Sequence, residues 1–295
     1  MFYDFQKGIG NMNRRVFLKR TLGSILAFIG ISGGTYYYFR NIEPSLLKIT
    51  EEIIPSSKLN PVFNNFKIIQ FSDTHIGFHY SLEQLQELAN KINSHNPDII
   101  VFTGDLVDEP DNYQWDPKLS SILQSMKAKH GKYWIYGNHD HGGYGTDIVK
   151  EVMEESEFQL LQNSHVSIKK GEASIALAGI DDALLGKPDL DTAVQYIDPN
   201  LFTILLAHEP DFVENTIHYP IDVQLSGHSH GGQVRFPFIG DLYTPALAEK
   251  YVQGKYILND RLSLYVNSGI GTTRLPYRFL CRPELHIYTL KSKMS

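Results

Sequence analysis

The chain has 295 residues, 42% of them hydrophobic and 20% charged, a composition that suits a packed globular body and excludes a disordered or fibrous one. Its formal charge of −6 is unevenly spread: residues 1–48 carry seven Lys/Arg against two acids, whereas the remainder carries 20 basic and 31 acidic residues. So acidic a body repels a phosphate backbone, and nucleic acid is not expected as a partner. The single cysteine, Cys281, excludes a disulfide framework and a multi-cysteine zinc site.

The N-terminus reads as an address. Arg14-Arg15-Val16-Phe17-Leu18-Lys19 resembles a bacterial twin-arginine export signal; the alternative is an ordinary signal anchor inserted by the general route. Nineteen uncharged residues, Thr21–Phe39, follow. As a helix they reach roughly 28 Å, close to the ~30 Å hydrocarbon core of a bilayer. The positive-inside bias keeps the basic end cytoplasmic and sends the body outside, to the cell membrane or envelope. With no A-x-A cleavage pattern after the apolar run, residues 1–40 are expected to stay as an anchor. Residues 41–65 are expected to form a short linker with a candidate edge strand over Leu46–Ile54, and residues 66–295 the globular body.

That body alternates strands and helices. Phe66–Phe71 is an apolar run stopped by Ser72-Asp73; Leu82, Leu85, Leu88, Ala89 and Ile92 then recur at helical spacing behind Ser81, an expected N-cap. A strand over Ile99–Thr103, a helix near Leu119–Ala128 and a strand over Tyr133–Tyr136 complete a β-α-β-α-β order, which implies a partly parallel sheet covered by helices. Between Asp140 and Leu201, where a cap over a pocket is expected, the only helical pattern surrounds Ile148–Phe158. Strands are then expected at Ile175–Ala178, Phe202–Ala207, Asp222–Leu225, Gln233–Phe236, Leu262–Val266 and Leu285–Leu290. Two sheets packed face to face, each covered by helices, accommodate both halves.

Side chains able to bind a hard cation follow five of these strands. Asp73 and His75 follow the first, Asp105 the second, Asn138-His139-Asp140 the third, His208 the run ending at Ala207, and His228 and His230 the run ending at Leu225. Beyond the carboxyl ends of strands in an α/β sheet these residues converge. Oxygen and imidazole donors without a thiolate suit Mn, Fe or Zn, and so many donors imply a pair of ions.

Asp73-x-His75, Gly104-Asp105, Gly137-Asn138-His139-Asp140, His208 and Gly227-His228-Ser229-His230 resemble, in order and complete, the motif series of the calcineurin-like metallophosphoesterases. Gly231–Arg235 and the tail from Gly269 to Glu284 are similar to its exported or membrane-attached bacterial branch. The resemblance implies a four-layer αββα sandwich of two mixed β-sheets flanked by helices, and a phosphate mono- or diester as substrate. It further implies one ion held by Asp73, His75, Asp105 and His230 and a second by Asp105, Asn138, His208 and His228. A hydroxide held between them would attack phosphorus in line. His139 would orient or protonate the leaving group, with Asp140 fixing its imidazole.

Manganese is the leading metal: it is the weakest binder of the divalent series, and export of a folded protein by the twin-arginine machinery would let the site fill inside the cell. Arg235, five residues after the last motif histidine, is the expected clamp on substrate phosphate; Arg274, Arg278 and Arg282 read as structural, and Asp108 and Asp182 as turn or cap residues. His79 and His141 read as loop histidines. Membrane attachment raises a lipid-linked pyrophosphate or a phospholipid head group as an alternative substrate. A non-catalytic scaffold on the same fold would be signalled by a lost ligand, and none is lost here.

Overall fold

A computed structural model describes residues 14–141, 146–259 and 261–293. In chain order these form helix α1 (Arg14–Tyr37), β1 (Lys48–Ser56), β2 (Lys67–Phe71), α2 (Leu82–Ser94), β3 (Ile99–Phe102), α3 (Lys118–Ser125), β4 (Lys132–Trp134), α4 (Asn138–His141), α5 (Thr146–Glu155) and β5 (Phe158–Leu160). There follow β6 (Ser164–Lys170), β7 (Ala173–Gly179), α6 (Leu190–Val194), β8 (Thr203–Leu206), α7 (Val213–Thr216), β9 (Val223–Ser226), a short ribbon of β10 (Arg235–Phe236) and β11 (Gly240–Asp241), β12 (Gly254–Leu258), β13 (Leu262–Val266) and β14 (Glu284–Ser292).

Two six-stranded mixed sheets carry the architecture, in the orders β1-β14-β2-β3-β4-β5 and β12-β13-β9-β8-β7-β6. Residue alternation explains why they stack. On β3, Ile99 and Val101 enter the core between the sheets while Ile100 and Phe102 face the core under the helices. On β8, Ile204 and Leu206 face the first sheet, and Leu205 turns to the outer side. The helices close both outer faces. α2 contributes Leu85, Leu88, Ala89 and Ile92, and α5 contributes Val149 and Met153, to one outer core; α6 contributes Leu190 and Ala193, and α7 Val213, to the other. Four layers result, as the alternation in the sequence implied.

Helix α2 begins where its chemistry says. The Ser81 hydroxyl accepts from the Gln84 amide and the Gln84 side chain accepts from the Ser81 amide, a reciprocal capping box. At the sheet interface one polar residue is buried on purpose. Gln70 donates to Thr103 Oγ1 at 2.9 Å and to the Ser226 carbonyl at 3.0 Å, and accepts from Tyr288 at 2.7 Å, tying both sheets together beneath the ligand loops.

β2, β3 and β4 run parallel, as do β7, β8 and β9, so their carboxyl ends gather on one edge of each sheet. β1 lies at the outer edge of the first sheet, paired with β14 from Lys48 to Ser56. Helix α1 has no buried residue along its length, and with the turns after it is long and apolar enough to cross a membrane.

Candidate metal centre

Three of the five ligand-bearing loops, those after β2, β3 and β9, leave their strands through strained backbone. Asp73 (φ 53°), His75 (φ 43°), Asp105 (φ 63°), His228 (φ 65°) and His230 (φ 49°) all occupy the left-handed region that non-glycine residues avoid. Such strain, at about 1–3 kcal/mol per residue, persists where the surroundings dictate it and concentrates at functional sites. Two glycines make the close approach feasible. A Cβ on Gly104, itself at φ +99°, would lie 2.6 Å from the Gly137 amide nitrogen, and a Cβ on Gly137 would lie 2.3 Å from Asp105 Oδ1.

The loops bring together two groups of buried donors. In one, ligand atoms of Asp73, His75 and His230 lie within 4.8 Å of one another; in the other, those of Asp105, His208 and His228 do. Asp105 stands between them, with Oδ2 at 3.5 Å from His75 Nε2 and 3.3 Å from His208 Nε2. His75 Nε2 and His230 Nε2 are 3.0 Å apart. Asn138 Oδ1 and His208 Nε2 are buried without a hydrogen-bond partner, a cost that protein interiors avoid unless another group accounts for it. Two neighbouring clusters of nitrogen and oxygen donors with such unmet atoms fit a pair of divalent cations. Among these donors there is no thiolate: Cys281 is buried, and its Sγ contacts the carbonyls of His230 and Gly231.

The second nitrogen of several imidazoles is already engaged, which orients the ring. His208 Nδ1 donates to the Thr103 carbonyl at 2.5 Å and His228 Nε2 to the Ala246 carbonyl at 2.9 Å. That leaves His208 Nε2 and His228 Nδ1 as the donor atoms. Burial, then the neighbouring His208, push His228 down to about 3, so it is neutral at ordinary pH, the form a metal needs. Burial and the His75 ring likewise hold His230 well below its usual value.

His139 sits on the cavity wall with Nδ1 2.6 Å from the Asp108 carbonyl, and its amide donates to Asp105 Oδ1 at 2.9 Å. Burial opposes its charge, but Asp105 and the Asp108 carbonyl outweigh that and raise its pKa. Asp140 does not fix this ring. Its carboxylate accepts the amides of Asp105 (2.8 Å), Leu106 (2.9 Å) and Gly137 (2.9 Å), so it locks two ligand loops together; burial and the nearby Asp105 push it up to about 6. The part expected of Asp140 falls to Asp108. Besides its carbonyl on His139, Asp108 places Oδ1 2.9 Å from His75 Nδ1, at ion-pair distance though off the line of a hydrogen bond, and accepts from Thr273 Oγ1 at 3.1 Å. Its place in the Gly104–Asp108 loop, three residues beyond Asp105, was the available sequence signal.

A cavity of about 320 Å³ opens onto Asp105, Asn138, His139, His228 and His230. Its outer wall is Val234, Leu242, Tyr243, Pro245, Arg274 and Leu275. Arg235, the expected phosphate clamp, is not on that wall: it donates to the Gly231 carbonyl at 2.9 Å and lies 3.4 Å from Asp241. Arg274 is there instead, stacked 4.9 Å from the Tyr243 ring centre and bonded to its hydroxyl. Arg278 is fully buried and donates to the carbonyls of Ser268, Gly269, Gly271 and Cys281, holding the loop behind His230. Helix α5 does not cap the cavity, since it spends its apolar face, Val149 and Met153, on the first sheet.

Strand-tip loops that gather this donor set agree with what the sequence match decides. The profile of the calcineurin-like phosphoesterases matches residues 66–232. The chain belongs to that family. It is 44% identical to the metallophosphoesterase YkuE of Bacillus subtilis, over 95% of this chain and 98% of YkuE. It is 31% identical to a transmembrane protein with a metallophosphoesterase domain from Danio rerio (83% of this chain, 57% of that protein). It is also 26% identical to the UDP-2,3-diacylglucosamine pyrophosphatase LpxG of Chlamydia muridarum (92% and 97%). The family uses a dimetal centre, and the phosphoesterase described here carries candidate ligands for one.

Proposed function

We propose that this phosphoesterase hydrolyses a phosphate mono- or diester outside the cytoplasmic membrane, with two divalent ions, manganese foremost and iron or zinc as alternatives. One ion is assigned to Asp73, His75, Asp105 and His230, the other to Asp105, Asn138, His208 and His228. The observation that carries the reading is the pair of buried donor clusters meeting at Asp105, with Asn138 Oδ1 and His208 Nε2 left unpartnered. When bound, the ions supply Lewis acidity toward phosphoryl oxygens and a hydroxide nucleophile at neutral pH.

The chain's own residues do the remainder. His139, its Nδ1 held by the Asp108 carbonyl, presents Nε2 for proton transfer to the departing oxygen. Asp140 sets the spacing of the Asp105 and Gly137 loops, and the apolar wall limits water around the ester. The anchor role of residues 1–40, insertion through the twin-arginine machinery and an extracytoplasmic body belong to the same proposal, supported by Arg14-Arg15 and the exposed apolar helix α1. Kinship with LpxG, named for a diacylated sugar nucleotide, supports a lipid-linked pyrophosphate as the alternative substrate.

The test uses the full chain in detergent, stripped of metal and reloaded with manganese. Turnover of an aryl phosphate diester and the matching monoester is compared between the native chain and His139→Ala. Metal-dependent turnover that falls about 10²-fold or more in the variant supports the assignment. An unaltered rate removes His139 from the chemistry, and no turnover with two ions bound points to a scaffold.

A further inference from the structure

The ribbon of β10 and β11 exposes more apolar surface than a water-facing turn needs. It pairs Arg235 with Asp241 and Phe236 with Gly240, and its tip, Pro237-Phe238-Ile239, is exposed. Phe238 is fully exposed, Ile239 is 73% exposed and Leu242 62%. A contiguous exposed apolar patch of this kind marks a binding surface.

Its neighbours say which surface. Arg235 donates its amide to the Phe279 carbonyl at 2.9 Å, and the Phe236 and Phe279 rings stand 5.4 Å apart. The other side of Phe279 packs on Phe39 at 4.1 Å, and Arg278 donates its amide to the Phe39 carbonyl at 3.0 Å. Phe39 lies two residues beyond the last residue of α1, in a helical turn that continues it. Tyr36, inside α1, meets Tyr277 at 5.7 Å. The ribbon is therefore joined through one phenylalanine to the end of the helix that reaches membrane length. On its inner side the same segment supplies Leu242 and Tyr243 to the cavity wall beside Leu275, which is itself 53% exposed.

We infer that the tip Phe236–Tyr243 inserts into the outer interface of the bilayer that α1 crosses, and that the catalytic cavity opens at that interface onto phosphoesters carried by lipid. This rests on the reading above of α1 as an anchor and of the cavity as a phosphoesterase site. Aromatic and aliphatic side chains beside a membrane helix bury themselves at the headgroup boundary, and a helix alone leaves the body free to tilt. The ribbon is the second attachment point, and it fixes the tilt that brings the cavity to the lipid. Arg274, exposed on the rim, adds a cation for an anionic headgroup.

The test places an environment-sensitive dye on Phe238→Cys in the full chain, reconstituted into phosphatidylglycerol–phosphatidylethanolamine vesicles. The native Cys281 is buried, which leaves the introduced thiol as the reactive one. Glu172→Cys is the reference, since the β6–β7 turn lies at the amino end of β7, opposite the ligand loops. The inference expects blue-shifted emission at position 238, quenched by lipids with a spin label high on the acyl chain, and a water-like, unquenched signal at 172. Absence of lipid quenching at 238 overturns it, whether the dye reads water or an apolar site formed by a second copy of the chain.

A second arm separates the two readings. With Phe238→Asp/Ile239→Asp, turnover of vesicle phosphatidylglycerol relative to a water-soluble diester is expected to fall about tenfold or more. A constant ratio overturns lipid presentation. Quenching at 238 with no turnover of any ester leaves the docking intact and removes the enzymatic reading instead.

Discussion

Asp108 lies outside the motif residues, yet it reaches both a ligand histidine, His75, and the candidate proton donor, His139, and Asp108→Asn isolates what its carboxylate does. Its Oδ1 stands 2.9 Å from His75 Nδ1 and accepts from Thr273, while its main-chain carbonyl, 2.6 Å from His139 Nδ1, is untouched by the substitution. Burial works against the charge, but the His75 ring outweighs it, and the carboxyl sits below its ordinary range and is ionised at neutral pH. Asparagine keeps the shape and removes the charge that steers the His75 ring toward its ion. A group in this position behind a metal histidine contributes about 10–100-fold in metal affinity, or roughly 1.4–2.7 kcal/mol. Titrating metal-free protein with manganese in a calorimeter should show the Asp73–His75–His230 site weakened by that factor. At saturating manganese, kcat should fall by less than the affinity does, because His139 keeps its carbonyl partner and loses only the Asp108 charge 3.7 Å from its Nδ1. Unchanged affinity together with a large fall in kcat would refute this division of labour, since it would place the Asp108 carboxylate on the proton-transfer side.

Three further outcomes follow from the geometry. Gly137→Ala puts a Cβ 2.3 Å from Asp105 Oδ1 and 2.7 Å from His208 Cε1, so manganese binding and turnover should fall about 10²-fold or more while far-ultraviolet circular dichroism stays native. Asp140→Asn turns an amide donor toward one of three main-chain amides; metal-free protein should lose about 1–3 kcal/mol, read as a lower melting temperature. Glu284 is buried, which works against its charge, yet His286, Thr50 and Lys48 bring its carboxyl down to about 2. Because the folded value lies below the unfolded one, its contribution is complete above pH ~4.5 and disappears as pH falls through about 2. The stability difference between the native chain and Glu284→Gln, from urea midpoints, should therefore shrink by about 3 kcal/mol across that window, whereas a constant difference contradicts the assignment.

What the sequence disclosed follows the range over which its signals act. Strand tips with their donors, the Ser81 cap and the layered alternation are local or periodic, and each was legible. Edge strands β6 and β12 were not, because an edge strand is half solvated and β6 reads Ser-His-Val-Ser-Ile-Lys-Lys rather than as an apolar run. Gln233–Phe236 was expected as a full strand and is a two-residue arm of the exposed ribbon. The apolar wall of the cavity lay hidden for a different reason. Leu242, Tyr243 and Leu275 gather only after distant segments pack, and the one helical pattern in the expected cap region, α5, is held by the first sheet. The role of Asp108 likewise rests on contacts with His75, His139 and Thr273 made across the fold, with only its place three residues beyond Asp105 to signal it, whereas Arg235 is held by its near neighbours Gly231 and Asp241.

The dimetal centre is the claim on which the rest depends, and counting ions tests it most directly. The full chain in detergent, stripped and reloaded with manganese, should carry two ions per chain by plasma mass spectrometry. Asp105→Ala, which removes the carboxylate standing between both donor groups, should carry one or fewer. A folded native chain that retains no manganese, or a variant that still holds two ions, would contradict the account.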